Sequence, residues 1–418
     1  MEVMERNILL RVGGRTLQRY GVLAVGSVGI GRTEEIKETF TRADATTCAT
    51  YIDRDGIIRL AAANVPRIEW VDLDGDGIRE TPGILLEGIR QNLLDNSDYE
   101  ADIVGSGSYA GSTVVRDNAH ALRGSWALKC TTVLNTFSGI VITTRSGAKP
   151  AASPGSVYSA SGWVFATGSA IGQAMRVQID WYNGAAYIST SAGTPVTLVA
   201  GWNRLLVAGT APGSTTGVVV DIITNTAAQP VFDVWVDVPQ FELGAFASSA
   251  IPTLTVPLTR AADSLTLPFN FGPMDLTALA RMARPIHADA SGDLGSEPQV
   301  YRISTTSPAI RGNFQQATRL LRSFIDSTGT DVQQTTGIPA GAELKMCVQY
   351  RLLTTGGLTK LDVGSGFTAE SSAAGPIASF GIQTLEVGGT TTGSLYGVLL
   401  DLLVIRDLHT LAEALAVP

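Results

Sequence analysis

Charge is scarce in this chain, and its balance has the wrong sign for nucleic acid. Asp, Glu, Lys and Arg make up 16% of 418 residues, the net charge is −8 and the pI is near 5.0. Neutralising phosphate needs clustered Lys and Arg, and here the cations are scattered, which argues against a nucleic-acid partner. Cysteine is almost missing: Cys48, Cys130 and Cys347 are odd in number and far apart. That spacing gives neither a disulfide framework nor a zinc site, and the three read as small buried hydrophobes. Histidine is equally rare. His120, His287 and His409 stand far apart in sequence and read as surface or capping residues, not as bases. No GxSxG, HExxH or CxxC occurs. No apolar run approaches the ~20 residues that cross a bilayer, so no membrane insertion is expected. The start, MEVMERNILLRVGG, carries acids and lacks the apolar stretch of a secretory signal. Cytoplasmic synthesis follows, as it would for a particle subunit released by lysis.

What is abundant is Gly, at 45 residues, with Ser, Thr, Val and Ala in short runs cut by Gly, Pro, Asn or Asp. That texture predicts an all-β fold of antiparallel sandwiches. The chain turns about a seam from Gln240 to Leu267. Before it lie aromatic-bearing strands, whereas no tryptophan follows Trp235. Thr41-Arg42-Ala43 is echoed by Thr259-Arg260-Ala261, and each opens a strand-like segment. The two copies bracket a central module, which suggests an insertion. The expected division is 1–40, a docking arm; 41–95, a small β-hairpin unit; 96–245, a central sandwich; 246–263, a linker; and 264–418, a second sandwich.

Within 1–40, Gly26, Gly29 and Gly31 reverse the spacing of a dinucleotide fingerprint, and no βαβ pattern follows. Asp53-Arg54-Asp55-Gly56 lies between two apolar runs and predicts a hairpin. Next, Asp72, Asp74, Asp76 and Glu80, with Gly77 at the sixth place, match the first half of a calcium loop. The twelfth place is Gly83 where a bidentate Glu belongs. The stretch reads as a structural Ca2+ site or as a plain Asp/Gly-rich turn.

In the central module Gly105, Gly107 and Gly111 are followed by strand patterns where a nucleotide fold requires a helix. Seven strand candidates follow: SWALKCTT, GIVITT, VYSASGWVFA, MRVQIDWY, WNRLLVAG, GVVVDIIT and VFDVWVDVPQFEL. Together they make two packed sheets. Sugar rings lay their C–H faces on aromatic planes. Trp181, Tyr182 and Tyr187 flank an Asn183-Gly184 turn and are the glycan-binding candidates; packing or a subunit contact is the competing reading. Alternation sends Trp181 and Tyr182 to opposite faces. Trp126, Trp163, Trp202 and Trp235 lie inside apolar strands and read as core.

Taken in order, GSWALKC, SVYSASGWVFATG, MRVQIDWYNG, GWNRLLVAGTAPGST and VWVDVPQFELG resemble the carbohydrate-binding jelly-roll modules found beside glycanases and in phage fibres. The flanks, TRADATTCATYIDRDGIIRLAAANVPRIEW, ILLEGIRQNLL and FELGAFASSAIPT, resemble segments around such modules in tailed-phage tail-fibre and virion-associated proteins. Residues 264–418 resemble a laminin-G-like, concanavalin-type sandwich, most clearly in GSLYGVLLDLLVIRDLHTLAEAL. There, Val398 to Ile405 carry apolar residues on both faces, so the last strand is expected at a sheet centre, before a short helical tail. The resemblance implies a non-enzymatic structural protein of a tailed-phage virion, as tail fibre, tail-associated or head-decoration subunit. It also implies other virion proteins as partners, a homotrimer, and Asp237 as a ligand of a structural cation. The alternatives are an adhesin for a host-envelope glycan and a glycan hydrolase, which would need two carboxyls facing across a cleft.

Overall fold

The computed structural model describes residues 7–11, 19–22, 39–42, 48–72, 78–79, 81–144 and 147–268, and nine strands beyond them up to residue 406. The described chain is antiparallel β throughout, with a single 3-10 turn at Gly168–Ala170. The expected helical tail, 407–418, lies outside the described residues.

The central module is a sandwich of two sheets. One has five strands in the order Thr113–Asp117, Ala127–Thr131, Asp233–Leu243, Val157–Ala166, Gly201–Thr210. The other runs Ala186–Ala192, Ala174–Asn183, Gly217–Thr224, Gly139–Ile142, Ser106–Tyr109, with Val196–Thr197 beside Ala174–Asn183. All seven strand candidates are strands. The four unforeseen ones are short or carry small, polar residues that give little apolar alternation. Met175, Val177, Ile179 and Trp181 enter one apolar core with Val218, Val220, Ile222, Ala160, Val164, Val234 and Val236. Strand alternation turns Arg176, Gln178, Asp180 and Tyr182 the other way. Cys130 lies in that core and Cys48 and Cys347 are also buried, all three unbridged.

The segments on either side of this module share sheets. Gly397–Arg406 pairs with Asn7–Arg11, with Leu276–Ala283 and, through Gly397 and Leu86, with Thr81–Leu86. It is an interior strand, as its two-sided apolar pattern requires. Ser264–Pro268 pairs with Thr39–Thr41, setting Leu265 against Phe40. Residues 1–95, expected as an arm and a separate small unit, thus supply strands to the sheets of 264–418. The physical reason is that a few short strands cannot bury an apolar face alone. The expected hairpin is present, Thr50–Ile52 against Ile58–Leu60, with Gly56 at φ +80° in its turn.

The module leaves and rejoins this body through a neck, where Arg90–Asn92 pairs with Leu258–Arg260. Under the neck lies a buried ion network. Arg42 and Arg260, one from each Thr-Arg-Ala copy, flank Arg67, and all three are buried. Arg67 meets Glu87 at 2.6 Å and also binds Asp263; Arg42 meets Asp263 at 3.2 Å; Arg260 meets Glu87 at 3.1 Å. Arg260 also donates to the Ser248 hydroxyl at 3.3 Å, which donates to Glu242 at 2.6 Å. Three guanidiniums therefore meet two carboxylates directly and a third, Glu242, through the Ser248 hydroxyl. Burial alone would raise the Glu87 carboxyl, but Arg260 and Arg67 beside it hold it down at about 2.

Candidate glycan-binding face

The six-stranded sheet turns one face away from the core, and cross-strand register lays out its side chains in rows. Tyr109 pairs with Gly139, which pairs with Ile223, which pairs with Arg176. The next row on the same face runs Gly107, Val141, Asp221, Gln178, Ala192. Beyond it, Val219, Asp180 and Thr190 line up, then Gly217, Tyr182 and Tyr187. A bulge between Trp181 and Tyr182 shifts the register of the last row, which brings Tyr187 opposite Tyr182. Their rings meet edge to face with centroids 5.9 Å apart, and Lys149 Nζ lies 4.4 Å from the Tyr182 centroid. A side chain at Gly107 would meet nothing within 4 Å, so glycine leaves this end of the face open.

The floor is polar and nearly dry. Asp221 is 1% exposed and Asp180 9%. Gln178 Nε2 donates to both, at 3.3 Å to Asp180 Oδ1 and 3.3 Å to Asp221 Oδ2, which fixes the amide orientation. Thr190 donates to Asp180, and the Tyr187 hydroxyl lies 2.8 Å from the Thr190 hydroxyl. A chain of hydroxyls therefore runs from the exposed Tyr187 to the buried carboxyl. The guanidinium of Arg176 donates to Asn225 Oδ1 at 3.2 Å and Gln178 Oε1 at 3.4 Å, not to either acid. Burial first, and then Asp180 beside it, push the Asp221 carboxyl up to about 8. That shift favours the protonated, neutral form of Asp221 at neutral pH. Burial first, and then the same two acids, raise the phenols of Tyr109 and Tyr182. The face therefore presents half-exposed aromatic planes over a floor that both donates and accepts hydrogen bonds, as a polyhydroxylated ligand demands.

Of the three glycan-binding candidates, Tyr182 and Tyr187 stand on this face and Trp181 does not. Trp181 is 1% exposed, inside the core, and its indole N–H donates to Ser191 Oγ at 2.9 Å. The alternation that exposes Tyr182 forces its neighbour inward. Among the tryptophans read as core, Trp235 is buried, whereas Trp126, Trp163 and Trp202 are only half-buried, on outer surfaces of the sandwich. Asp237, expected as a cation ligand, is fully buried. Its Oδ2 accepts the amides of Leu122 at 2.8 Å and Arg123 at 3.1 Å, and its Oδ1 that of Val238 at 2.8 Å. Burial raises its carboxyl to about 8 against the pull of those amides. Backbone donors thus occupy the oxygens a cation would need. Of the calcium-loop residues only Asp72 is described; Asp74, Asp76 and Glu80 lie outside the described residues. Among the described residues no three His, Cys, Asp or Glu side chains converge on a metal position.

Sequence reasoning missed Tyr109, Arg176, Gln178, Asp180, Thr190 and Asp221. The signal was present in two strands. MRVQIDWY alternates Met, Val, Ile, Trp with Arg, Gln, Asp, Tyr, and GVVVDIIT sets one acid inside an apolar run. A lone acid in such a strand must face a polar partner or lose its charge.

No family model matches the chain, and no curated protein matches it. Among solved structures it is similar to the CBM22-1–GH10 modules of Clostridium thermocellum endo-1,4-beta-D-xylanase 10B, complexed with xylohexaose. That similarity is 13% identity over 38% of this chain and 29% of that one, with a TM-score of 0.30. The chain therefore spans less than a third of that protein's length. It is also similar to the CBM22-1–CBM22-2 tandem of Paenibacillus barcinonensis Xyn10C, at 12% identity over 77% of this chain and all of that one, TM-score 0.30. A third similarity is to domains LG4-5 of the mouse laminin alpha1 chain, at 10% identity over 78% and 93% of the two chains, TM-score 0.22.

Proposed function

We propose that the chain is a non-catalytic glycan-binding protein, and that the outer face of the six-stranded sheet is its binding surface. The observation that carries this reading is the meeting of Tyr182, Tyr187 and Tyr109 with a buried donor–acceptor floor of Gln178, Asp180 and Asp221 on one exposed sheet face. Stacking holds the sugar ring and the floor fixes its hydroxyls. Binding fits better than hydrolysis. A glycosidase sets two carboxyls about 5–9.5 Å apart on either side of the scissile bond, whereas Asp180 and Asp221 stand on neighbouring strands of one sheet face and accept from the same Gln178 amide.

The sequence resemblance of the flanks supports a place for this module in a tailed-phage particle, as fibre, tail-associated or decoration subunit, and its homotrimer is part of the same proposal. Adhesion to host-envelope glycan is the use that the face favours within such a particle. Screening the full chain against immobilised bacterial-envelope and plant-wall polysaccharides tests the binding. At least one neutral glycan is retained, and Tyr182→Ala with Tyr187→Ala weakens retention about tenfold or more, given about 0.5–1.5 kcal/mol per aromatic contact. Retention unchanged in that folded double variant would rule out this face. Immunogold labelling of intact particles tests the location.

A further inference from the structure

Two cations stand on the outer face of the six-stranded sheet, and they are engaged differently. Arg176 braces the floor: its guanidinium donates to Asn225 Oδ1 at 3.2 Å and to Gln178 Oε1 at 3.4 Å. Lys149 stands at the opposite end, beside the Tyr182 row, and no ion pair joins it to any described acid. Asp180 and Asp221, the acids of this face, are turned instead to Gln178 and Thr190.

The fold fixes where this ammonium sits. Val218 N donates to Pro150 O at 3.0 Å and Ala151 bridges Gly217, which pins the backbone carrying Lys149 along the start of Gly217–Thr224. Gly217 pairs with Tyr182, and a Cβ at 217 would come within 2.9 Å of Lys149 Cβ. Glycine there lets the lysine stem pass close to the strand and bring Nζ to 4.4 Å from the Tyr182 centroid. That contact holds the ammonium against the ring. Tyr187, 56% exposed, meets the same ring edge to face, so the cation and an open aromatic plane stand one ring apart.

We propose that Lys149 is a specificity-determining residue of this face, which selects glycans whose sugar rings bear an anionic group, a carboxylate or a sulfate. The proposal rests on the glycan-binding reading above and names the class of ligand. A ring stacked on Tyr187 directs its substituent towards Nζ, and an unpaired ammonium gains more from an anion than from a hydroxyl. Neutral glycan still binds by stacking and through the floor. The preference has to be local, because a chain of net charge −8 repels a polyanion as a whole.

The test measures retardation of the full chain in affinity gels that hold matched pairs: unsubstituted xylan and glucuronoxylan, hydroxyethylcellulose and carboxymethylcellulose, dextran and dextran sulfate. In at least one pair the acidic member binds about fivefold tighter at low salt, the upper end for a partly exposed ion pair. Raising the ionic strength to about 1 M removes most of that gain. Lys149→Met brings the acidic-to-neutral ratio to one or below, and Lys149→Arg keeps it above one. Should Lys149→Met fail to fold, Lys149→Gln, which keeps a polar end on a similar stem, serves in its place. If each neutral member is retained as well as its acidic partner, or if the ratio survives in the folded Lys149→Met variant, the proposal is overturned while the face stands. Retention of no member of any pair counts against the face itself, and the proposal falls with it.

Discussion

Two clusters of buried charge can be set side by side in this molecule. Under the neck, Arg42, Arg67 and Arg260 pair with Glu87 and Asp263, all five side chains wholly out of solvent, and Arg260 reaches Glu242 through the Ser248 hydroxyl. On the outer sheet face, Asp180 and Asp221 lie together with only an amide and hydroxyls for company. In the first cluster each ion-paired carboxylate meets two guanidiniums, and Glu87 is held down at about 2. The second is uncompensated, and Asp221 rises to about 8. A compensated cluster between two bodies has a structural use: it specifies how the module sits on its carrier. An uncompensated one on an accessible face is a local liability, and such liabilities collect where a protein meets its ligand.

The largest effect should come from breaking the compensation. Arg67→Met removes the guanidinium that bridges Glu87 and Asp263, leaving two buried carboxylates short of a partner. A loss of about 3–5 kcal/mol is expected in denaturant unfolding, with glycan retention by the remaining folded protein unchanged. If the loss is under about 1 kcal/mol, the network is not what joins the two bodies. Trp181→Ala should come close behind, at about 3–5 kcal/mol, because it empties the core and strands Ser191. Its neighbour Tyr182 would not behave this way, and that contrast separates the two faces of one strand.

How much of this was legible beforehand follows from the kind of signal each part leaves. Seven strands of the central module announced themselves by apolar alternation, and the last strand by apolar residues on both faces. The twinned Thr-Arg-Ala pointed to an insertion, and its arginines prove to be the buried pair Arg42 and Arg260. What no local pattern could give was the pairing of Thr39–Thr41 with Ser264–Pro268, since strand partners more than two hundred residues apart share no period. For the site, Tyr182 and Tyr187 were visible as aromatics beside a turn. Asp221 was not, because its meaning depends on Asp180 from a neighbouring strand.

The pH dependence of stability should separate the clusters on opposite limbs. Glu87 has a folded pKa below its unfolded value of about 4.5. Its contribution is therefore present above that value and is lost as pH falls from about 4.5 towards 2. Asp221 has a folded pKa above its unfolded value, so the sign reverses. Its contribution is full below about pH 4 and is lost as pH rises through about 8. The unaltered chain should thus lose stability on the alkaline side as well. Asp221→Asn should flatten part of that decline, by about 1 kcal/mol or less per pH unit, leaving the share due to Asp237. Unfolding midpoints measured from pH 3 to 9 provide the check; an identical alkaline slope in the variant would mean that Asp221 does not hold its proton in the folded chain.

The smallest expected effect on stability is the most informative about function. Tyr187 is 56% exposed, and Tyr182 lies on the same outward face, away from the core that Trp181 fills. Substitutions at such surface positions usually change stability by no more than about 0.5 kcal/mol. Tyr182→Ala with Tyr187→Ala should therefore unfold within about 1 kcal/mol of the unaltered chain while losing glycan retention. A large destabilisation would instead assign the two rings to packing, because a residue kept for binding can be removed from a fold that does not need it. The outcome turns on one strand, Ala174–Asn183, whose inward residues fill the sandwich core and whose outward residues run from the hydrogen-bonded floor of Gln178 and Asp180 to the half-exposed ring of Tyr182.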